Sequence, residues 1–245
     1  MKCKVMTYNI MSGRSHPANL AGEGLVVNPS LVASVIKEQN ADIVGMNEVH
    51  EAGGIFDDQP QRIAKEAGYS YYHFAQSIMD GPSPYGNAIL SKYPITETEV
   101  IKIPGGTYPK GGRGETRTVL KAVIDLGGQK IEVYVTHFGL LPSEQEAAFQ
   151  AVKALIEKAE HPCILMGDLN LTPEHEIAQA LKSLLKDTAP EDICADWYTF
   201  SSDEPYEKID YIFVAPECSV SEAKVHDVIA SDHRPYTATI ELGCD

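Results

Sequence analysis

The sequence contains few basic residues. Its 245 residues include 20 Lys and Arg against 35 Asp and Glu, which gives a formal net charge of −15. Proteins that hold long nucleic acids take most of their affinity from Lys and Arg side chains that neutralise phosphates. The charge balance therefore weighs against a protein that holds a polyanion by its own charge. It leaves open a phosphate-handling enzyme that brings its own cation.

Cysteine is also scarce and unpatterned. The five cysteines are an odd number, and no two of them are spaced as CxxC. Structural zinc sites use closely spaced cysteines, and disulfide frameworks use even numbers of them. We therefore expect neither, and interpret the cysteines as reduced, mostly structural thiols.

Long apolar runs, repeats and linkers are missing as well. No stretch approaches the ~18 apolar residues of a membrane-spanning helix. Strand-like sequence starts almost at Met1, so no signal peptide is expected. The most glycine-rich stretch, residues 104–114, is too short to separate two domains. We expect one domain over residues 1–245 in the cytoplasm, although a secreted protein without its leader would have the same sequence.

The apolar residues that are present, 43% of the chain, are arranged mostly as strands. Short alternating or continuous apolar runs with β-branched and aromatic residues are typical of strands. Gly127 and Gly128 separate two such runs, which predicts a hairpin. The predicted strands are residues 4–10, 42–49, 70–76, 86–92, 96–103, 116–125, 130–138, 162–169, 208–214 and 234–242.

Three helices are predicted between the strands. The first has Asn28 as its N-cap and Pro29 at the first helical position. The second opens with a capping box from Ser143 to Glu146, and the third starts near Pro173. Strands far outnumber helices, and both hairpins and strand-helix-strand units occur. This favours an α/β or α+β layered sandwich with mixed sheets over a doubly wound parallel sheet.

Polar residues at strand ends are the features that point to chemistry. Side chains at the same end of parallel or mixed strands converge on one crevice. Carboxylates and carboxamides with histidine suit a hard cation such as Mg²⁺ or Mn²⁺, while zinc remains open. The strand-end residues are Asn9, Glu48, His137, Asp168, Asn170, Asp210, Asp232 and His233.

A hard cation beside a carboxylate and two histidines suits hydrolysis of a phosphoester, in which the metal polarises the phosphoryl oxygen and the carboxylate deprotonates water. Each residue alone has an ordinary structural explanation, since Asp168 can form a turn and His137 can be a core histidine. The occurrence of all these residues in order, each at the end of a strand, favours a functional site over these separate structural explanations. His16 and His50, which each follow a motif strand, are the next candidates for the site.

The set resembles the endonuclease/exonuclease/phosphatase superfamily, the fold of deoxyribonuclease I. The resemblance runs in order along nearly the whole chain and implies a four-layer α/β sandwich, with two mixed β-sheets packed face to face and helices outside. Its motifs are TYNI (7–10), NEV (47–49), YGNAILSKYPI (85–95), ETR (115–117), VTHF (135–138), GDLN (167–170), IDYIF (209–213) and SDHRP (231–235).

The resemblance implies a role for each matching residue. Glu48 resembles the principal metal ligand, with Asn9 beside it and Asp232 as a further contributor. Asp168 resembles the carboxylate that activates water, and His233 the histidine that contacts the scissile phosphate. Asn170 is implied to bind phosphate or water, Asp210 to orient His233, and His137 to be a second active-site histidine. Asn87 and Arg117 are implied to bind substrate, and Arg117 could instead form a structural ion pair.

The resemblance implies a Mg²⁺- or Mn²⁺-dependent phosphoester hydrolase with one or two ions. We expect a phosphodiesterase that acts on a small or soluble phosphoester. Abasic-site endonucleases of the superfamily differ at the positions of Met11 and His137, which disfavours that branch.

A nuclease on DNA or RNA is the first alternative, with Lys102, Lys110, Arg113 and Arg117 as its only basic cluster.

Two further alternatives concern lipid and non-enzymatic functions. A sphingomyelinase-like phospholipid phosphodiesterase would need a device for binding a lipid surface, and the chain has a single tryptophan, Trp197. A binding module that has lost catalysis would lack Glu48, Asp168 or His233, and all three are present. The sequence indicates neither the substrate nor the oligomeric state.

Overall fold

Two six-stranded β-sheets packed face to face form the centre of the computed structural model, which describes residues 1–243. The strands are β1 (Lys2–Asn9), β2 (Ile43–His50), β3 (Tyr71–Asp80), β4 (Ser83–Ser91), β5 (Ile95–Ile103), β6 (Arg117–Asp125), β7 (Lys130–His137), β8 (Cys163–Asp168), β9 (Lys186–Asp187), β10 (Asp210–Val214), β11 (Ser219–Val225) and β12 (Tyr236–Glu241).

Each sheet is mixed. The first has the strand order β11-β12-β1-β2-β4-β3, and the second has the order β5-β6-β7-β8-β10-β9. The pairs β1–β2 and β7–β8 are parallel, and the other neighbouring strands are antiparallel. The predicted fold class, a deoxyribonuclease I-like sandwich of two mixed sheets with helices outside, is confirmed.

The helices are few and short. They are α1 (His16–Leu20), α2 (Pro29–Gln39), α3 (Gln59–Ala67), α4 (Pro142–Ile156) and α5 (Glu176–Lys182), with 3-10 turns at Met11–Gly13 and Ala195–Trp197. One apolar cluster joins Ile36 of α2 and Ile63 of α3 to Met46 in β2, on the outer face of the first sheet. A larger cluster fills the space between the sheets and includes Val152 of α4 and Leu181 of α5.

The helix predictions are confirmed at α2 and need correction at α4 and α5. Asn28 does cap α2, because its side chain accepts a hydrogen bond from the Leu31 N–H. The capping box predicted from Ser143 to Glu146 is wrong: the N-cap lies two residues earlier, at Leu141, and the Glu144 carboxylate accepts the N–H of Leu141 at 3.2 Å.

The remaining differences concern short elements. The third helix was predicted to start near Pro173, and α5 instead begins at Glu176, with the His175 side chain as its cap. The short helices α1 and α3 and the strands β9 and β11 were not predicted. The hairpin at Gly127–Gly128 is confirmed, and it joins β6 to β7.

Strand periodicity explains how an apolar core ends in a polar site. Successive side chains of a strand point to opposite faces, so residues two apart share a face. Val5 of β1 and Met166 of β8 belong to the cluster between the sheets. Asn9 and Asp168 lie on the same faces of the same strands, an even number of residues further on. The space that is apolar along most of its length therefore becomes polar where these strands end.

The two sheets approach closely beside this polar end. A Cβ atom on Gly45 of β2 would lie 2.6 Å from the sulfur of Met166 and 3.0 Å from a methyl group of Val135, so any larger residue would force the buried Met166 side chain to shift. Two residues further along β2, Asn47 is fully buried and reaches the opposite sheet. The position of the two sheets relative to each other is thus fixed directly under the strand ends.

Two further expectations concern the cysteines and membrane-spanning helices. Cys3, Cys163 and Cys218 are buried free thiols and Cys194 is an exposed one, whereas Cys244 lies outside the described residues. Within residues 1–243, no helix has the length and apolar character needed to cross a membrane.

Candidate active site

A cleft with a volume of about 380 Å³ opens at the edge where β2, β7 and β8 end and β6 and β10 begin. It brings together side chains from both sheets and from the loop before β12. The predicted site residues that line it are Glu48, Arg117, His137, Asp168, Asn170, Asp232 and His233.

Asp168 lies at the centre of the polar groups. Its Oδ2 atom accepts a hydrogen bond from the Asn9 amide at 3.1 Å and lies 3.4 Å from Nε2 of His137 and 3.7 Å from Nε2 of His233. Its Oδ1 atom accepts the backbone N–H of Asn170 at 2.9 Å. Burial raises the pKa of Asp168, against the opposing effect of the nearby imidazole of His233. A buried carboxylate with a raised pKa is a stronger base than an exposed one.

His233 is held by a second carboxylate. Its Nδ1 atom is hydrogen-bonded to Oδ2 of Asp210 at 2.8 Å, which leaves Nε2 directed toward Asp168. Burial alone would lower the pKa of His233, but the negative charges of Asp210 and Asp168 outweigh burial and raise it to about 10. The ring is therefore an imidazolium at neutral pH, suited to binding an anion and to donating a proton.

His137 has the opposite electrostatic character. Arg117 donates a hydrogen bond to its Nδ1 atom at 3.0 Å, so the neutral ring carries its proton on Nε2, which faces Asp168. Burial, followed by the positive charge of Arg117, holds the pKa of His137 well below its usual range. Arg117 also forms an ion pair with Glu115 at 3.2 Å while lining the cleft. Both roles predicted for Arg117 are therefore geometrically available.

Glu48 reaches the cleft through an irregularity of β2. The pairing of β2 with β4 passes from Met46 opposite Ala88 to Val49 opposite Gly86, so two residues of β2 oppose one residue of β4. This is a β-bulge, and bulges re-aim side chains next to active sites. Glu48 has a φ of +56°, a left-handed conformation that costs about 1 kcal/mol for a residue with a Cβ atom. Such strain is common at functional positions.

The surroundings of Glu48 fit a divalent cation. Burial raises the pKa of Glu48, the hydrogen bond from Asn9 at 3.1 Å lowers it, and the negative charge of Asp232 raises it further. Two carboxylates that repel each other beside one cleft are a donor set for Mg²⁺ or Mn²⁺. Among residues 1–243, no three His, Cys, Asp or Glu side chains are grouped closely enough to hold a metal alone. Amide, water or substrate oxygens would therefore complete the coordination.

Asn9 lies beneath the cleft and acts as a donor in this structure. Its amide nitrogen faces Glu48 and Asp168, both at 3.1 Å, and lies 3.4 Å from Nε2 of His233. Its oxygen accepts the Met11 N–H at 3.1 Å. The metal role predicted for Asn9 stays a prediction, because the amide must rotate to present its oxygen.

Asn87 is not among the residues that line the cleft, and its predicted substrate-binding role stays a prediction. It is fully buried, accepts a hydrogen bond from Asn47 at 2.8 Å, and donates to the backbone oxygen and hydroxyl of Thr118. Its side chain is therefore hydrogen-bonded between the two sheets. His16, paired with Asp203, and His50, enclosed by Ser12 and Ser83, do not line the cleft either.

Three residues that sequence reasoning missed belong to the site or support it. Asn47 accepts the backbone N–H of Asp168 at 2.9 Å and donates to the carbonyl of Thr136. The signal for it was a polar residue on the core-facing side of a buried strand. Phe200 and Glu207 line the cleft, and they come from an irregular segment that carries no recognisable motif.

Comparisons with known proteins indicate the same family and fold as the sequence motifs. A sequence model described as the Endonuclease/Exonuclease/phosphatase family matches residues 6–233. In the structure of an endonuclease/exonuclease/phosphatase from Beutenbergia cavernae, the alignment covers 99% of this chain and 72% of that chain, with a TM-score of 0.84 and 25% sequence identity.

Two curated proteins are similar in sequence over part of their length. Protein cwh43 of Schizosaccharomyces pombe is 25% identical over 145 residues, which are 56% of this chain and 14% of that protein. Exodeoxyribonuclease III of Haemophilus influenzae is 24% identical over 162 residues, which are 61% of this chain and 55% of that protein. The chain thus matches about half or less of the length of these relatives.

Proposed function

Because the chain belongs to the endonuclease/exonuclease/phosphatase family, whose members hydrolyse phosphoric esters, we propose that it is a divalent-metal-dependent phosphodiesterase acting on a small or soluble phosphoester. One observation carries this proposal. A single buried carboxylate oxygen, Oδ2 of Asp168, lies within 3.7 Å of two imidazoles of opposite electrostatic character. A base and an acid therefore lie side by side in one cleft.

Asp168 is the proposed base. It deprotonates a water molecule that attacks phosphorus directly, and the backbone N–H of Asn170 and the amide of Asn9 hold the carboxylate in place. Burial raises its proton affinity, which favours proton abstraction near neutral pH. The neutral His137 lies 3.4 Å from the same oxygen and, with its proton on Nε2, orients the carboxylate.

His233 is the proposed stabiliser of the transition state. Its imidazolium, oriented by Asp210, faces the cleft and offers a charged N–H to a phosphoryl oxygen or to the leaving group. Arg117, which also lines the cleft, supplies a second positive charge for the phosphate. Asn170 lines the cleft beside Asp168 and contributes to binding of phosphate or water.

Glu48 and Asp232 are the proposed ligands of Mg²⁺ or Mn²⁺, as one or two ions. Asn9 joins them when its amide rotates. When bound, such an ion polarises a phosphoryl oxygen and neutralises charge that develops in the transition state. The repulsion between the two carboxylates and the burial of Glu48 support this assignment, because a cation removes both costs.

Residues 1–245 are proposed to work as one catalytic domain. Glu48 comes from the first sheet and Asp168 and His137 come from the second, so neither sheet contains a complete site. The phosphoester substrate is proposed to be held mainly by the cation and by Arg117 and His233, which is consistent with the net charge of −15.

The proposal is tested with the purified protein after treatment with EDTA. We expect no turnover of bis(p-nitrophenyl) phosphate until Mg²⁺ or Mn²⁺ is added, and slower turnover of the monoester p-nitrophenyl phosphate. Turnover that is undiminished by EDTA would contradict metal dependence. A monoester preference would instead identify a phosphatase.

A nuclease is the second candidate, favoured by the similarity to exodeoxyribonuclease III. Lys110 and Arg113 are exposed on the loop that precedes Arg117 and could contact a nucleic acid backbone. A nuclease that uses these residues loses activity steeply as salt concentration rises, whereas hydrolysis of a small ester does not. Comparing the two salt dependences on single- and double-stranded DNA and on RNA decides between the candidates.

A further inference from the structure

One wall of the cleft combines the aromatic ring of Phe200 with the carboxylate of Glu207. The ring of Phe200 lies 4.9 Å from the imidazole of His233, measured between centroids, and is tilted by 50° to it. The ring of Tyr206 packs edge-on against Phe200 at 5.5 Å and is largely exposed. Glu207 follows Tyr206 and lines the cleft together with Phe200. We call Phe200, Tyr206 and Glu207 the side subsite.

The side subsite is held rigidly against the residues proposed for catalysis. Phe200 pairs with Glu207 on one side and with His233 on the other through isolated backbone bridges. The Arg234 N–H donates to the carbonyl of Thr199 at 2.7 Å. Several backbone hydrogen bonds thus fix the segment at the position of the proposed phosphate site, and a ligand meets a wall that is already formed.

The Glu207 carboxylate is half-buried and has no internal partner. Within residues 1–243 it takes part in no side-chain hydrogen bond and no ion pair. The other cleft carboxylates have proposed tasks, since Asp168 activates water and Glu48 and Asp232 bind metal. A spare carboxylate beside a phosphate site repels a second anionic group on the substrate and attracts a positive one. Its function therefore depends on what the substrate carries next to the phosphate.

The neighbouring rings select among positive groups. Aromatic faces attract cations, and this attraction is strongest for alkylammonium groups that are weakly hydrated. A carboxylate supplies the compensating charge. Rings and carboxylate together match an alkylammonium group better than they match a sugar or a second phosphate.

We propose that the side subsite binds an alkylammonium group carried by the phosphodiester substrate close to its phosphate. The inference rests on the proposed phosphodiesterase function and adds the chemical class of the substrate. Glu207 is the specificity-determining residue, and Phe200 supplies the aromatic contact in the cleft, with Tyr206 packed against its ring. The phosphate then lies toward His233, and the ammonium group lies along the wall away from it.

The test compares two esters of the same shape that differ in one charge. The cationic ester is p-nitrophenyl phosphorylcholine, and the neutral one is p-nitrophenyl 3,3-dimethylbutyl phosphate. For the wild-type protein with Mg²⁺ or Mn²⁺ we expect kcat/KM to be about tenfold higher for the cationic ester. In Glu207→Gln we expect the ratio to approach one. Glu204→Gln, an exposed residue of the same segment, is the matched control and should keep the wild-type ratio.

A ratio near one in the wild-type protein would overturn the inference while leaving the phosphodiesterase proposal intact. An equal loss on both esters in Glu207→Gln, or a raised metal requirement, would also overturn it, because Glu207 would then act as a metal ligand or in folding. Failure to hydrolyse either ester or bis(p-nitrophenyl) phosphate would contradict the proposed function itself. In that case, calorimetric binding of phosphorylcholine and of 3,3-dimethylbutyl phosphate still decides the inference, and equal affinities would overturn it.

Discussion

The side-chain oxygen of Asn47, in the first sheet, accepts the backbone N–H of Asp168, in the second sheet, at 2.9 Å. The same side chain donates to Asn87 within its own sheet and to the carbonyl of Thr136 in the other. One fully buried amide therefore joins the two sheets directly behind the proposed base, so that the packing of the sheets and the position of Asp168 depend on the same three hydrogen bonds.

Asn47→Ala should lower both stability and activity. The substitution removes one hydrogen-bond partner from each of three buried polar groups, and we expect a loss of about 3 kcal/mol in the free energy of unfolding. Urea denaturation measures this loss, and turnover below the melting transition should fall as well. Asn19→Ala, at an exposed position of α1, is the control. A stable Asn47→Ala protein with full activity would show that the sheets do not need this contact.

Asp168→Asn should abolish hydrolysis and leave the fold intact. The substitution keeps the shape of the side chain and removes its basicity, and we expect turnover of bis(p-nitrophenyl) phosphate to fall by roughly 10³-fold. Circular dichroism and the melting temperature check folding. Asp196→Asn, on the exposed 3-10 turn before Tyr198, should behave like the wild type. Residual activity above a tenth of the wild-type value would assign the base to another residue.

Glu48→Gln should change the response to metal. Removal of the proposed ligand charge is expected to raise the Mg²⁺ or Mn²⁺ concentration for half-maximal activity by roughly 10- to 100-fold. The increase in melting temperature that metal produces in the wild type should shrink in parallel. An unaltered metal titration by both measurements would exclude Glu48 as a ligand.

Glu48→Gly should be more stable than Glu48→Gln. Both variants lack the carboxylate, but only glycine adopts a φ of +56° without steric cost. We expect the glycine variant to be more stable by about 1 kcal/mol in the free energy of unfolding. Equal stabilities would show that the bulge relaxes around the side chain.

Stability should fall as the pH is lowered from 6.5 to about 4, in part because of His226. Burial, followed by the charges of Lys224 and Lys4, lowers the pKa of His226 to about 4, against the opposing charge of Glu222. Its Nε2 atom is paired with the hydroxyl of Thr237 at 2.8 Å. Between these pH values the unfolded chain binds the proton and the folded chain does not, so protonation favours unfolding.

His226→Gln tests this contribution. The variant should show a smaller decrease in melting temperature over the same pH interval than the wild type. His161→Gln, in the loop between α4 and β8, serves as the control and should keep the wild-type slope. Identical slopes for His226→Gln and the wild type would assign the pH dependence to other groups.

The strand-end residues were predictable because of a simple geometric rule. Asp168 and His137 end two neighbouring parallel strands, and the ends of such strands lie at one edge of a sheet. Their convergence therefore follows from the apolar pattern, with no knowledge of how the sheets pack. Glu48 was also predictable in position, but the bulge that turns it into the cleft leaves no mark in the residue types.

Other parts of the site depend on contacts that the sequence does not encode locally. Asn87 occupies a motif position, but the motif gave no direction for its side chain, which points between the sheets. Phe200 and Glu207 reach the cleft only because the segment that carries them pairs with the backbone near His233. No motif in the sequence marked this segment as part of the cleft wall.

The left-handed backbone at Glu48 has a consequence for how the sequence can change over generations. A glutamate codon becomes a glycine codon by a single base substitution, and the stability comparison above expects the resulting protein to fold at least as well as one with a neutral side chain there. Selection for folding alone would therefore not preserve this carboxylate. A lineage in which the proposed reaction no longer mattered would be free to lose Glu48 early, because folding does not require its carboxylate.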